Sequence, residues 1–311
     1  MKKLITYLRE YISEDYHRGL YGYTALFLTL TISLNYYFDF EDSVLDSYFR
    51  QPVSYLYYSS FFAFAYYGVA IPVLWVREPE TLQNPHFWLK SSAFLVLLGA
   101  GEAVDWHYTL STYFDSVWEA YYFRKLASKV KRFVLWLPAM YLLIRFYRDT
   151  EVGLYGLRWK AFDPRPYLWM LLGMLPLIIT ASFLPDFLRT YPIFKFWRYQ
   201  PVFGLNPTEM FLWHELFYGA SFLTVELMFR GALVIGMAPL LGRHVVLPMV
   251  ATYAFLHFGK PAGETISSIF GGYILGVISW RTQNLLGGCI VHIGIAWLMN
   301  AAAYVQLRVL G

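Results

Sequence analysis

Apolar stretches long enough to cross a bilayer recur along this chain, and that recurrence limits what it can fold into. A spanning helix needs about 20 predominantly apolar residues, with a range of roughly 17–25. Such stretches lie near residues 20–38, 54–76, 88–104, 133–147, 167–185, 216–238, 245–258, 265–280 and 285–307. Those at 133–147, 245–258 and 265–280 are short, so the expected fold is an all-α polytopic transmembrane bundle of about eight spans. Composition agrees: charged residues make up 15% and apolar types 58%. That is too little charge to solvate a globule of this size and too much apolar content for disorder. The single cysteine, Cys289, excludes a disulfide framework, a cysteine-based zinc site and an iron–sulfur cluster.

Three regions follow. Residues 1–19 alternate charged and apolar positions, and Arg9, Glu10, Glu14 and Asp15 interrupt any signal-peptide core behind Lys2 and Lys3. An interfacial amphipathic helix is expected there, with no cleaved signal. Residues 20–200 read as a peripheral layer of transmembrane helices rich in Tyr and Phe. Residues 207–311 have shorter loops, more glycine and most of the polar residues embedded in apolar runs, and read as the functional core. The stretch 39–50 is acidic, with Asp39, Glu41, Asp42 and Asp46 against Arg50. Two stretches are basic: Arg124, Lys125, Lys129, Lys131 and Arg132, then Arg145, Arg148, Arg158, Lys160 and Arg165. The positive-inside rule places both basic loops in the cytoplasm, which requires a further membrane segment within 105–124 or a re-entrant 133–147. The net charge of +4 is of this loop type, and no basic face suggests nucleic acid. The partner is the lipid bilayer, as for a multi-pass protein of the plasma or inner membrane.

Ionisable groups at membrane depth need a reason, because each costs at least about 2.5–3.5 kcal/mol at the bilayer centre on insertion scales. Glu226 and Arg230 sit mid-run in SFLTVELMFRGALVIGM, His257 in VATYAFLHFGKP and His292 in LGGCIVHIGIAWLMN. Glu226 and Arg230 are four apart, which puts them on one helix face, and taken alone they are an ion pair that eases insertion. A lone imidazole, likewise, can simply bridge two helices. Together, one carboxylate, one guanidinium and two imidazoles on three runs can line one polar pocket. Such a pocket suits hydrolysis: a carboxylate removed from water is a stronger base, and imidazole or guanidinium donors stabilise an oxyanion. Glu226, His257 and His292 could equally ligate zinc as a His₂Glu set with an open position, although no His-Glu-x-x-His enforces it. Glu102, Asp105 and His107 form a second group. They either end a span at the interface or supply the proton path of a proton-coupled carrier. His214 and Glu215 lie three turns from Glu226 and are not expected to act directly.

The motifs Val225-Glu226-Leu227-Met228-Phe229-Arg230-Gly231, Tyr253-Ala254-Phe255-Leu256-His257 and His292-Ile293-Gly294-Ile295-Ala296 resemble those of the CPBP family of intramembrane proteases. That family includes CAAX prenyl endopeptidases and bacteriocin-processing proteins. The resemblance covers roughly residues 210–305 and rests on Glu-x-x-x-Arg, then a spaced His, then a second His. It implies an endopeptidase that hydrolyses a peptide bond of a membrane-associated peptide or protein. Glu226 would be general base or metal ligand, Arg230 its holder, and His257 and His292 ligands of water, oxyanion or metal. Val225 stands where the family carries a first glutamate, and Ala296 where it carries asparagine. Asn300, two turns after His292, can replace that amide only if the helix is shifted or tilted. The departures define the alternative: a catalytically inactive CPBP relative acting as a membrane binding or scaffold protein.

Overall fold

The computed structural model describes residues 2–149, 153–159 and 162–310; Lys160 of the second basic stretch lies outside them. Among these residues every extended element is helical, and the β pairing is a single bridge between Val202 and Leu205. In chain order the helices are α1 (Lys2–Asp15), α2 (Arg18–Phe38), α3 (Ser54–Arg77), α4 (Pro85–Ala103), α5 (Trp106–Ser111), α6 (Val117–Tyr147), α7 (Arg165–Ala181), α8 (Pro185–Thr190) and α9 (Pro207–Glu226). A π-helical segment, Leu227–Gly236, continues from α9. It is followed by α10 (Ala238–Leu241), α11 (Val246–Phe255), α12 (Ala262–Thr282) and α13 (Leu286–Val305).

Local chemistry sets the helix ends. His17 precedes α2 in an extended conformation and its Nδ1 accepts the Leu20 N–H, as a side-chain cap should. α2 stops at Asp39, whose φ of 52° takes the left-handed cap that Asp tolerates. Asn84 caps α4 through the His86 N–H, with Pro85 in the first turn.

Among the described residues, four helical stretches are long and apolar enough to cross a membrane: Ser54–Arg77, Pro85–Ser111, Pro207–Phe255 and Leu286–Leu310. The expected run at 216–238 and most of that at 245–258 thus fall within one stretch, which ends at Phe255. The runs at 20–38 and 265–280 do form α2 and α12, but Thr, Tyr, Ser and Gly dilute them and they are outside those four. The run at 167–185 gives the 17-residue α7. One expectation is corrected. Residues 124–132 are not a loop but lie inside α6. Ala, Leu, Lys and Arg are strong helix formers, and no glycine or proline occurs before Pro138.

The chain forms two compact units, each drawing on both halves of the sequence. The first comprises Met1–Val104, Pro138–Phe162 and Glu226–Gly287; the second comprises Asp105–Leu137, Asp163–Val225 and Gly288–Gly311. In the first, α3 packs on α4 and α11, and α11 on α12. With lipid as apolar as the interior, close van der Waals approach must hold such helices together. Glycines permit it: a Cβ on Gly99 would lie 2.4 Å from the Ser59 backbone nitrogen, and one on Gly276 2.5 Å from Met249. α1 is amphipathic and clamped in place. Tyr11 is buried edge-on to Tyr273 and Trp280, and its hydroxyl donates to the Arg243 carbonyl at 2.7 Å. Glu10 pairs with Arg281, Glu14 with Arg243 and Asp15 with His244 at 3.0, 2.9 and 2.9 Å.

In the second unit, Tyr122, Phe194, Val202 and Met210 form an apolar cluster. α13 seats Trp297 against Gly219, where a Cβ would be 2.7 Å from the ring.

Gly99→Ala should lower stability by about 1–3 kcal/mol, because the added methyl strikes backbone that cannot move aside. Gly22→Ala, with nothing within 4 Å of its Cβ, should be neutral or stabilising. Thermal unfolding of both variants in detergent checks the contrast; equal melting temperatures would contradict it.

Candidate functional site

Glu226 ends α9 and Arg230 is the fourth residue of the π-helical segment, where hydrogen bonds run to the fifth residue rather than the fourth. The wider turn is accommodated by a loop of the same unit. Tyr155, itself buried, packs against Gly231 and Gly236, where a Cβ would sit 3.1 Å from the Tyr155 carbonyl oxygen and 2.9 Å from its ring. Both charged side chains are fully buried, and an Arg230 terminal nitrogen lies 3.1 Å from Glu226 Oε1. The contact is an ion pair out of hydrogen-bond alignment: Nε and both terminal nitrogens of Arg230 are buried without a hydrogen-bond acceptor. A guanidinium carries five N–H donors, and buried donors are rarely left unmet.

Arg230 also lies over the ring of Tyr253, 4.3 Å from its centroid. Tyr253 is held from behind by α12, since a Cβ on Gly272 would be 3.0 Å from its ring. It touches Phe229 on one side and His257 on the other, at centroid distances of 5.1 and 4.6 Å. His257 Nδ1 donates to the Tyr253 carbonyl at 2.8 Å. A carbonyl only accepts, so this bond places the neutral ring's proton on Nδ1 and its lone pair on Nε2. Within the first unit, then, the structure brings Glu226, Arg230 and His257 into one chain of contacts through Tyr253.

The turn carrying His257 is clamped by the end of α2. Asn35 donates to the Phe258 carbonyl at 3.1 Å and accepts the Glu41 N–H at 3.1 Å. Tyr36 donates to the Lys260 carbonyl at 2.6 Å and meets the Thr265 hydroxyl at 2.7 Å, while Thr265 donates to the His257 carbonyl. The Glu41 carboxylate fills the space beside Gly259, 2.5 Å from where a Cβ would stand. Sequence reasoning missed Asn35, Tyr36 and Thr265. The available signal was an asparagine near the end of an apolar run.

His292 belongs to the second unit, with its ring 4.2 Å from Phe222. Cys289, one turn earlier, is buried. Asn300 is engaged at both ends. Its amide nitrogen donates to both Glu215 oxygens at 2.9 Å, and its oxygen accepts the Ile193 N–H at 3.0 Å. Both ends of the amide are thus engaged in structural hydrogen bonds. Glu215 also lies 3.1 Å from His214 Nδ1. Glu102 lies in the last turn of α4 in the first unit, whereas Asp105 and the buried His107 open the second.

The residues suit zinc poorly. A dication at Glu226 would face the Arg230 guanidinium within ion-pair distance, and like charges repel strongly in a buried site. Another group of potential ligands, Glu41, Asp42 and Asp46, brings its oxygens within 4.8 Å of one another.

No family model, curated protein or solved structure matches this chain, so the likeness to CPBP proteases rests on the motifs quoted above.

Burial, followed by the negative charges of Asp46, Asp42 and Glu102, pushes the Glu41 carboxyl up from 4.5 to about 8. The folded chain therefore keeps a proton that the unfolded chain releases. This contribution to stability is complete below about pH 4.5, is lost progressively as pH rises toward 8, and is then gone. Glu41→Gln should flatten that decline, as measured by melting temperature across the same range in detergent. A decline of unchanged slope would rule Glu41 out as its source.

Proposed function

We propose that this chain is a membrane-embedded endopeptidase that hydrolyses a peptide bond of a membrane-associated peptide or protein without routing the step through a metal. The observation that carries the reading is the fully buried guanidinium of Arg230, beside a buried carboxylate and with N–H groups that make no well-aligned hydrogen bond among the described residues. Four helical stretches apolar enough to span a membrane support the setting, and the order Glu226, Arg230, His257, His292 supports the reaction class.

In this reading Glu226 takes a proton from water, whose oxygen attacks the scissile carbonyl carbon. The carbonyl oxygen becomes an oxyanion and draws on the Arg230 N–H donors. As the carbon–nitrogen bond breaks, the proton held by Glu226 passes to the leaving amine. His257, with its lone pair at Nε2, orients the water. Removing a general base costs about 10²–10⁴-fold and removing an oxyanion donor about 10²–10³-fold.

The test is cleavage of a membrane-tethered peptide library by the purified protein in proteoliposomes. Glu226→Gln and His257→Ala should each lower the rate by at least about 10²-fold while melting in detergent verifies folding. Wild-type rates in both variants, or no cleavage by the wild type, would end the proposal. A second reading, an inactive relative that binds membrane partners, draws on Val225, an apolar buried residue at the motif position of an acid. Hydrolysis appearing in Val225→Glu from a silent wild type would establish that reading instead.

A further inference from the structure

α2 and α3 meet closely at one level and part at the next. A Cβ on Gly68 would lie 2.8 Å from the Phe27 ring, so the two helices touch there with no room for a side chain. One turn on, Pro72 has no N–H to offer the Gly68 carbonyl. The Tyr23 hydroxyl donates to that carbonyl instead, at 2.9 Å. Toward the start of α2 and the end of α3 lies a cavity of about 470 Å³, within the roughly 300–1,000 Å³ range of small-ligand cavities. Its walls are Leu20, Tyr23, Ile71, Pro72, Trp75 and Val76, with His17 at the end. Trp75 and Val76 are 72% and 51% exposed, so the cavity is open on its outer side.

The charges at that end are unevenly matched. Glu14 is paired with Arg243, Asp15 with His244, and Glu78 is turned to His244 Nε2 at 3.8 Å. Arg18, exposed in the first turn of α2, has no carboxylate within ion-pair distance among the described residues. Arg77, in the last turn of α3, gives one terminal nitrogen to the Asp15 carbonyl at 2.9 Å, while its buried Nε–H finds no acceptor. Glu80 is exposed on the turn that follows. Tyr23 and Trp75 are the residue types that favour the membrane–water interface, and arginines there reach out to headgroups.

We infer that the cleft between the start of α2 and the end of α3 holds one acyl chain of an anionic phospholipid, whose phosphate is met by Arg18 and Arg77. The wall chemistry selects a hydrocarbon chain, the span-length α3 supplies the membrane, and the two unmatched guanidiniums select the charge. This lipid site is independent of the peptidase reading, since none of its residues belongs to the Glu226 cluster.

The experiment places the full chain in phosphatidylcholine nanodiscs with a trace of photoactivatable phosphatidylglycerol or photoactivatable phosphatidylcholine, each labelled on the acyl chain, and maps cross-links by mass spectrometry. Cross-links should concentrate on the segments containing Tyr23 and Trp75. Ile71→Trp, which fills the cleft from an exposed position, should cut them about tenfold. Leu30→Trp, on α2 outside the cleft, should leave them unchanged. The phosphatidylglycerol probe should label about fivefold more than the phosphatidylcholine probe, with Arg18→Gln abolishing the preference and Arg18→Lys restoring it. If Ile71→Trp fails to fold, Gly19→Leu fills the cleft from the α2 side, which Gly19 also lines. Labelling spread evenly over exposed apolar residues such as Leu212 and Leu216, or undiminished in the filled variants, would overturn the site. Equal labelling by the two lipids would overturn the anionic assignment.

Discussion

The buried pair Glu226–Arg230 is the constraint on which the rest of the first unit's polar chemistry depends. Each ion alone would cost at least about 2.5–3.5 kcal/mol at membrane depth. Removing either partner of a buried pair typically costs about 3–5 kcal/mol, because the survivor is left uncompensated. The pair therefore cannot be lost one residue at a time without penalty. Its geometry is not that of a plain structural bridge, because the ion-pair contact is made without hydrogen-bond alignment. The cation is steadied instead by the Tyr253 ring. That leaves Arg230 N–H groups with no well-aligned hydrogen bond among the described residues, which is uncommon for a buried donor.

From that ring the order passes to His257 through one backbone carbonyl. Tyr253 thus does two things with two parts: its ring carries Arg230 and its carbonyl fixes the His257 tautomer. Gly272 is what allows the ring to lie where it does. The π-helical turn belongs to the same design, since widening the helix after Glu226 leaves space that Tyr155 fills against two glycines.

The polar residue types and their order were legible in the sequence because a membrane protein has few of them, so Glu226, Arg230, His257 and His292 stand out against apolar runs. The helical class was legible for the same reason. The clamp on the His257 turn was not. Asn35 and Tyr36 lie more than two hundred residues from their partners, and no local pattern encodes such a pairing. Residues 124–132 were misplaced because five cations read as a loop under a topology rule, while their helix propensity favours a continuous α6. Among the described residues, α2 and α12 fall outside the four span-length apolar stretches because of their polar content, and α7 because it is short.

The residues around Asn300 bear on what the proposed reaction can draw on. Asn300 is the nearest amide in sequence to the position that Ala296 leaves apolar, and both ends of it are spent on Glu215 and the Ile193 backbone. Withdrawing it would strip a partly buried carboxylate of two donor contacts, a cost of roughly 1.5–3 kcal/mol for hydrogen bonds to a charged group. The second unit's amide is thus held in place by its own structural role. In the proposed reaction the oxyanion formed beside Glu226 draws on Arg230 of the same unit, whose buried N–H groups have the polarity such a charge requires.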